Sequence, residues 1–314
     1  MKIVQTLFFF TAFITNSYTG DFCYDEEHCN PYSWGDTFPS CHPIIGEHHS
    51  PINLDHQMSR NLSLEALKLE GFGTAQTGEW TLKNNGHSVV LQVGLGMEVR
   101  GGGLPADYTT LQLHFHWGSN STNGAEHTVN GRRYPMEMHI VNMKTVHYPN
   151  LTAAMEDPTG IAVLGVFIDV AEARLSDSFS LLSNLVPAVA YKGKTVRVKP
   201  FPLSSLLPMN NMSQYYRYHG SLTTPPCSKA VVWTVYEVPI YISYKQLSQF
   251  VSGVYHSEEG AHPSALLYNN FRHIHDTFSR KVYASTDATL LSSANLTVHS
   301  LLLCLASVLS AGLP

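Results

Sequence analysis

Charge is scarce in this chain. Only 14% of the 314 residues are Asp, Glu, Lys or Arg, and the formal net charge is −5. A nucleic-acid-binding domain normally carries a basic face, so the composition indicates no nucleic-acid partner. Intrinsic disorder is also excluded, because 44% of the residues are apolar. A chain of this length and composition can bury a large hydrophobic core.

Repeats, low-complexity linkers and blocks of like charge are absent between about residue 21 and residue 284. This stretch is therefore predicted to form one domain. Runs of β-branched and aromatic residues separated by turn sequences are typical of strands. They predict strands at 88–93, 110–117, 136–144, 161–170, 195–198 and 231–238, and helices at 176–186 and 243–252. The expected fold class is mainly β (α+β), with peripheral helices.

The N-terminal end has a different pattern. Lys2 is followed by a largely apolar run at 3–14 and then by small and polar residues up to Gly20. This order is typical of a secretory signal peptide, predicted here at residues 1–20. A buried strand or a short membrane anchor is the alternative, but the run is too short to span a bilayer.

The C-terminal end is apolar too. Residues 296–314 contain no Asp, Glu, Lys or Arg, and small residues precede them. Small residues, a short spacer and an apolar terminus predict a GPI-attachment signal, which we place at 285–314. Ser285 is the candidate attachment residue within the wider range 284–293. A single transmembrane helix is the alternative, although a basic flank is missing.

Cysteine is limited to five residues, and Cys304 falls in the predicted C-terminal signal. An even number then remains in what would be an oxidising compartment. Three pairings are possible, of which we favour Cys23 with Cys29 and Cys41 with Cys227. In the chain-entropy model the disulfide that closes the longer loop, Cys41 to Cys227, would add about 4–5 kcal/mol to the free energy of unfolding. Glycosylation sequons support the same compartment, with candidate residues at Asn61, Asn120, Asn150 and Asn211.

Histidine, by contrast, is abundant, with 17 residues. His114 and His116 lie two apart in a predicted strand, so they project from the same face as Gln112. Glu137 and His139 have the same spacing in another predicted strand. An oxygen acceptor beside such a histidine can fix the ring nitrogen that does not bind a metal. A lone His-x-His is typical of a surface strand, but three imidazoles from neighbouring strands would form a catalytic zinc site with one open position.

Seven segments carry a family resemblance. They are SPIN (50–53), NNGH (84–87), QLHFHWG (112–118), AEHTV (125–129), EMHIV (137–141), AVLGVF (162–167) and YHGSLTTPP (218–226). In this order they resemble the α-class carbonic anhydrases over residues of about 30 to 283, most closely the GPI-anchored vertebrate branch of types IV and XV. The resemblance implies a large, twisted, mostly antiparallel central sheet, a zinc ion in a cleft, and the favoured disulfide pairing.

The activity that the resemblance implies is that of a zinc-hydroxide lyase. It would hydrate CO2 reversibly to bicarbonate and a proton at the extracellular face of the plasma membrane. A lipid anchor would hold it there, and no protein partner is indicated. The zinc ligands would be His114, His116 and His139, supported by Gln112, Glu137 and Asn270.

The resemblance also assigns catalytic roles. Thr223 would accept the hydrogen of the hydroxide and donate its own to Glu126, which orients the attacking oxygen. His87 would carry the released proton to buffer. CO2 and bicarbonate would lie against Val141, Val163, Leu222, Thr223, Thr224, Val231 and Trp233.

Some positions depart from the family pattern. Asp36 and Val90 replace the frequent Tyr and Asn near the proton path, and His49 and His273 replace the usual Gln and Pro. None of these is a predicted zinc ligand. A catalytically silent binding module is the competing hypothesis, which the complete set of three histidines disfavours. A zinc esterase activity would share the same hydroxide.

Overall fold

The computed structural model describes residues 21–44, 48–55, 58–144, 148–171 and 176–289. The predicted signal peptide and residues 290–314 of the predicted C-terminal signal lie outside the described residues. Within the described ranges, no helix combines the length and the apolar character needed to cross a membrane.

Strands make up most of the regular structure. They are β1 (Asn53–Leu54), β2 (Ser59–Arg60), β3 (Lys68–Glu70), β4 (Trp80–Asn84), β5 (Val89–Gln92), β6 (Glu98–Arg100), β7 (Tyr108–Trp117), β8 (Thr128–Val129), β9 (Arg132–Arg133), β10 (Met136–Met143), β11 (Ile161–Val170), β12 (Thr195–Val198), β13 (Tyr215–Gly220), β14 (Val231–Ile242) and β15 (Tyr283–Ala284).

The helices are short. The α-helices are α1 (Trp34–Thr37), α2 (Leu151–Ala154), α3 (Asp177–Ser183) and α4 (Tyr244–Val251), and 3-10 turns occur at Pro39–Cys41, Val186–Val189, Leu203–Leu206 and Met209–Asn211. Helix α4 begins with a capping box, in which the Ser243 hydroxyl accepts from the Gln246 N–H and the Gln246 side chain accepts from the Ser243 N–H.

One large sheet organises the domain. Its strand order is β12-β4-β5-β7-β10-β11-β14-β13-β15-β2, with β6 joined to β7 and β3 to β6; β1, β8 and β9 form a second, small sheet. Among the described strands of the large sheet, only the β11–β14 and β15–β2 pairings are parallel. The expected fold class, a mainly β single domain with a mostly antiparallel central sheet, is confirmed.

The central strands separate two apolar clusters. Along β7, Leu113, Phe115 and Trp117 point into the larger cluster. There the Phe115 ring lies 5.8 Å from Phe179 of α3 and 5.2 Å from Phe250 of α4. Because side chains alternate along a strand, the residues between them face the opposite side of the sheet. That alternation places His114 and His116 away from the helices.

Two disulfide bonds tie the N-terminal region together. Cys23 is bonded to Cys29, and Cys41 is bonded to Cys227 across 186 residues of sequence. This is the pairing that the sequence analysis favoured.

Candidate metal centre

Strands β7 and β10 bring the predicted metal ligands together. The two strands are antiparallel neighbours, and their register sets His139 opposite His114 and Glu137 opposite His116. Residues that face each other across such a pair have Cβ atoms about 5 Å apart. The third histidine therefore joins the other two because of strand pairing, although 23 or more residues separate it from them along the chain.

The three imidazole rings surround one point. Ring centroids lie 5.1 Å apart for His114 and His116, 5.3 Å for His114 and His139, and 4.6 Å for His116 and His139. One nitrogen from each ring lies within 4.8 Å of the other two. His116 and His139 are buried, whereas His114 is half-buried. Three neutral nitrogens in this arrangement are the donor set of a catalytic zinc site.

The remaining ring nitrogens have oxygen partners. Nδ1 of His114 lies 3.0 Å from Gln112 Oε1, and Nδ1 of His116 lies 2.7 Å from the carbonyl oxygen of Asn270. Nε2 of His139 lies 2.8 Å from Glu137 Oε1. Because a carbonyl or carboxylate oxygen only accepts, each of these nitrogens carries the hydrogen. The free nitrogens are then Nε2 of His114, Nε2 of His116 and Nδ1 of His139, ready for a metal.

Two buried atoms beside the triad lack a hydrogen-bond partner among the residues that the structure describes. They are Nε2 of His116 and Oε2 of Glu126, which lie 3.4 Å apart. Buried polar atoms are nearly always paired, so an unpaired ring nitrogen that points at two other imidazoles fits a metal ligand. Burial also lowers the pKa of His114 and of His116, and the neighbouring histidines add to the shift. Glu137 opposes the shift at His114, and Glu126 opposes it at His116. Neutral imidazole is the form that binds a metal.

Glu126 lies on the loop before β8 and is completely buried. Its Oε1 accepts from the backbone N–H of Arg272 at 2.8 Å. Across the part of the chain that the structure describes, no hydrogen bond joins Glu126 to Thr223, which is also buried. The predicted Thr223–Glu126 link therefore stays a prediction, with an acceptor oxygen free to receive it.

Glu137 supports the metal centre through more contacts than the sequence indicated. Its Oε1 accepts from His139 and, at 2.7 Å, from Nδ1 of His127, while Oε2 accepts from the His127 backbone N–H at 2.8 Å. Nε2 of His127 lies 2.6 Å from the Tyr218 hydroxyl, which donates to Ser50 Oγ at 2.9 Å. Burial alone would raise the pKa of Glu137, but His127 and His139 outweigh it and hold the pKa well below its usual range.

His127, Tyr218 and Ser50 were not predicted as supporting residues. The only sequence signal was their position inside three of the seven resembling segments.

Asn270 was predicted as a supporting residue, and the structure shows three hydrogen bonds that it makes. Its backbone carbonyl accepts from His116, its Oδ1 accepts from the Trp117 N–H at 2.8 Å, and its Nδ2 donates to the His87 carbonyl at 2.9 Å.

An apolar wall lies beside the triad. Val141 pairs with Val163 across β10 and β11, and Val163 pairs with Trp233 across β11 and β14. The Trp233 ring centroid lies 4.8 Å from that of His139. These residues belong to the smaller apolar cluster, together with Val231 and Leu222, and Thr224 is half-buried after Thr223. Trp233 therefore lies beside a predicted ligand, and Val141 shares a strand face with His139, two positions away on β10. The role of the other predicted substrate residues stays a prediction.

His87 lies between β4 and β5 and is covered by the N-terminal segment. Its ring is stacked on Phe22, with centroids 3.9 Å apart, and its Nε2 lies 3.7 Å from Asp21 Oδ1. Burial lowers the pKa of His87 to about 4; Asp21 opposes the shift, and Lys192 and His256 add to it. Burial, more than the neighbouring charges, thus favours the neutral form of the predicted proton carrier.

The predicted modification sites differ in exposure. Asn120 and Asn150 are exposed, and Asn61 and Asn211 are half-buried. Ser285 is fully buried; its hydroxyl donates to the Ser213 carbonyl at 2.6 Å and accepts from the Tyr215 N–H at 3.0 Å. A lipid-attachment residue must be accessible to the modifying enzyme, so the environment of Ser285 disfavours this candidate.

Comparison with known proteins places the chain in a family. The family model described as eukaryotic-type carbonic anhydrase matches residues 29–286. The chain belongs to that family. Relatives include carbonic anhydrase 15 of Mus musculus, 37% identical over 287 residues, which are 88% of this chain and 87% of the relative. Carbonic anhydrase 12 of Homo sapiens is 36% identical over 255 residues, which are 81% of this chain and 70% of the relative.

Carbonic anhydrase 4 of Mus musculus is 36% identical over 239 residues, which are 75% of this chain and 74% of the relative. The resemblance to the type IV and type XV branch is therefore confirmed. The expected enzyme class, a zinc-dependent carbonic anhydrase, is confirmed as well. Membership in this family supports reversible hydration of CO2 as the reaction.

Proposed function

We propose that this carbonic anhydrase works at the extracellular surface of the plasma membrane, where a GPI anchor holds it, and that His114, His116 and His139 bind its zinc ion. The observation that carries the zinc assignment is the convergence of three ring nitrogens within 4.8 Å, each on a ring whose other nitrogen has an oxygen partner.

Zinc at such a site lowers the pKa of a bound water to about 7, a value already established for carbonic anhydrases as a class. The protein residues supply orientation. Within the described ranges no donor reaches Oε2 of Glu126, so it can accept from the hydroxyl of Thr223. A hydroxyl that donates to a carboxylate keeps its lone pairs free, and it can then accept a hydrogen from the attacking oxygen and aim it.

The substrate is apolar before the reaction and charged after it. Val141, Val163 and Trp233 offer CO2 a surface from which water is excluded, because all three are at most 4% exposed. Thr224 lines the position of the bicarbonate product. Bicarbonate prefers water to this wall, which favours its release.

Secretion is supported by independent features. The described residues contain two disulfide bonds, which persist in oxidising compartments. The predicted signal peptide at 1–20, the four sequons and the apolar C-terminus agree with that compartment.

The test is CO2 hydration by stopped flow, with zinc content measured on the same samples. We expect the purified domain to bind one equivalent of zinc and to hydrate CO2 rapidly, and His114→Ala to lose nearly all activity. His219→Ala is the matched control, because His219 is an exposed residue on β13 of the same sheet. Equal rates for the wild type and His114→Ala would overturn the zinc assignment.

A further inference from the structure

The N-terminal loop, which we define as residues 21–29, covers His87. The Phe22 ring lies parallel to the His87 ring, with an interplanar angle of 12° and centroids 3.9 Å apart. On the nitrogen side, Asp21 Oδ1 lies 3.7 Å from Nε2 of His87, and Asp21 Oδ2 lies 3.7 Å from Nζ of Lys192. Only 21% of the His87 side chain is exposed.

Phe22 is itself fixed in place. The Cys23–Cys29 disulfide and a hydrogen bond from the Cys23 N–H to the Cys29 carbonyl, 2.7 Å long, close the loop beside it. Nε1 of Trp34 donates to the carbonyl oxygens of Cys23 and Cys29 at 3.0 and 2.8 Å. The Trp34 ring also meets Phe22 edge to face at 5.2 Å. The loop therefore has little freedom to carry Phe22 away from His87.

This packing bears on proton release. A proton carrier works best when its pKa lies near the operating pH, because it must both take up and give up the proton. A stacked and largely buried imidazole favours its neutral form. The groups whose charge acts on His87 are Asp21, Lys192 and His256, which line one cleft with it. Asp21 favours protonation of His87 and the other two oppose it. The other titratable residues of that cleft include Tyr24, Asp25, Glu26 and His28.

We propose that Phe22 is a positioning residue that holds His87 stacked and shielded from water, so that the N-terminal loop limits how fast the proton leaves the enzyme. This inference rests on the proposed function, since it assigns the loop a part in the same reaction. It predicts that proton release is slower with the loop intact than it would be from an exposed histidine.

The first test measures His87 directly by NMR titration of its ring protons. In Phe22→Ala we expect the pKa of His87 to rise by about one unit or more, toward the ordinary value near 6.5. Phe22→Tyr keeps the stack and should keep the wild-type titration. Tyr32→Ala is the matched control, because Tyr32 stacks on another histidine, His273, at 4.5 Å. An unchanged His87 titration in Phe22→Ala overturns the inference.

The second test measures CO2 hydration in weak and in concentrated imidazole buffer. Proton release follows product formation, so it enters kcat and not kcat/KM. In weak buffer we expect kcat of Phe22→Ala to exceed the wild-type value by about threefold or more, with kcat/KM unchanged. Concentrated imidazole should remove the difference, and Tyr32→Ala should match the wild type throughout.

The outcomes separate the two proposals. An equal or lower kcat for Phe22→Ala in weak buffer, with hydration intact in the wild type, overturns the role of Phe22 and leaves the proposed function standing. Absence of hydration in the zinc-loaded wild type overturns the proposed function and, with it, the inference about proton release.

Discussion

At the scale of single residues, the three ligand histidines differ in what holds their second nitrogen. Gln112 offers a neutral amide oxygen, Asn270 offers a backbone carbonyl, and Glu137 offers a charged oxygen that is completely buried. A buried carboxylate orients the imidazole behind it more firmly than a neutral oxygen does and strengthens it as a metal ligand. Removal of that charge should therefore affect metal binding more than removal of the amide.

Glu137→Gln tests this difference. The amide would face N–H groups of both His127 and His139, and its own NH2 group would meet a donor. We expect zinc affinity to fall about 10- to 100-fold, measured by competition with a chromophoric chelator. Gln112→Ala is the comparison variant, and its zinc affinity should fall less than that of Glu137→Gln. Equal affinities for Glu137→Gln and the wild type would show that the charge is not needed.

Substitution of Val163 tests whether the apolar wall binds the substrate. The residue is 2% exposed and pairs with Val141 and Trp233. In Val163→Phe we expect kcat/KM for CO2 hydration to fall about tenfold or more while zinc content stays at the wild-type level, because the added ring occupies substrate space. Val163→Ala, which adds no bulk, should retain more activity. Loss of zinc in Val163→Phe would instead point to distortion of the ligands.

At the scale of the elements, β-branched runs located the central strands well. The predictions at 161–170 and 195–198 match β11 and β12, and the prediction at 110–117 lies within β7 (Tyr108–Trp117). The helix predicted at 176–186 is shorter, ending at Ser183, because a 3-10 turn with Pro187 follows it. Short strands such as β1, β8 and β9 have too few residues to show a period, so no pattern predicted them.

The alternation of side chains along a strand also decides which site residues could be predicted from the sequence. Gln112 and Glu137 lie two residues from a ligand on the same strand, so period-2 alternation reveals them. The contact of Arg272 with Glu126 and that of Phe22 with His87 join residues 146 and 65 positions apart. Such contacts depend on loop paths, which no local pattern fixes.

Strand β11 makes a specific prediction about zinc. Gly165 lies opposite His139, and a Cβ built there would come 3.2 Å from Glu137 Oε1 and 3.4 Å from the Val235 side chain. The carboxylate would have to shift in Gly165→Ala, so we expect zinc affinity to fall several-fold, up to about tenfold. Gly73→Ala is the control, because a Cβ there meets nothing within 4 Å. Unchanged zinc affinity in Gly165→Ala would contradict this account.

At the scale of the whole molecule, the fold continues past Ser285. Arg60 donates to the carbonyl oxygens of Thr286 and Ala288, and Thr289 donates to the Glu237 carboxylate through its N–H and its hydroxyl. A chain cut after Ser285 would lose all of these contacts. We therefore predict that the lipid of the proposed anchor is attached after residue 289, at the small residues Ser292 or Ser293.

This prediction is tested on cells that express the full chain. We expect a phosphatidylinositol-specific phospholipase C to release the protein, and mass spectrometry of the released form to find its C-terminal residue beyond position 289. A modified C-terminus at Ser285 would contradict the argument from packing. Retention at the membrane after phospholipase treatment would favour the alternative of a transmembrane helix.

Acid should destabilise the whole fold, and part of the reason lies in His275. Burial lowers the pKa of His275 to about 2, and Arg272, His273, His49 and Arg280 lower it further. His275 is only 9% exposed. The unfolded chain binds this proton near pH 6.5, whereas the folded chain binds it only in much stronger acid. Stability from neutral His275 is therefore complete above about pH 6.5 and declines as the pH falls below that value.

His275→Gln removes this titration while keeping a side chain of similar size. Protonation of His275 in the unfolded chain should lower the free energy of unfolding of the wild type by on the order of 2 kcal/mol between about pH 8 and about pH 5. The variant should not show this part of the decrease. Urea unfolding gives the free energy of unfolding of both proteins at both pH values. The change with pH in the wild type minus the change in the variant is the contribution of His275, because acid effects on the zinc ligands are common to both proteins. An equal loss in both proteins would mean that His275 binds its proton equally well in the folded and unfolded chain, and that burial among two guanidinium groups does not govern the acid response.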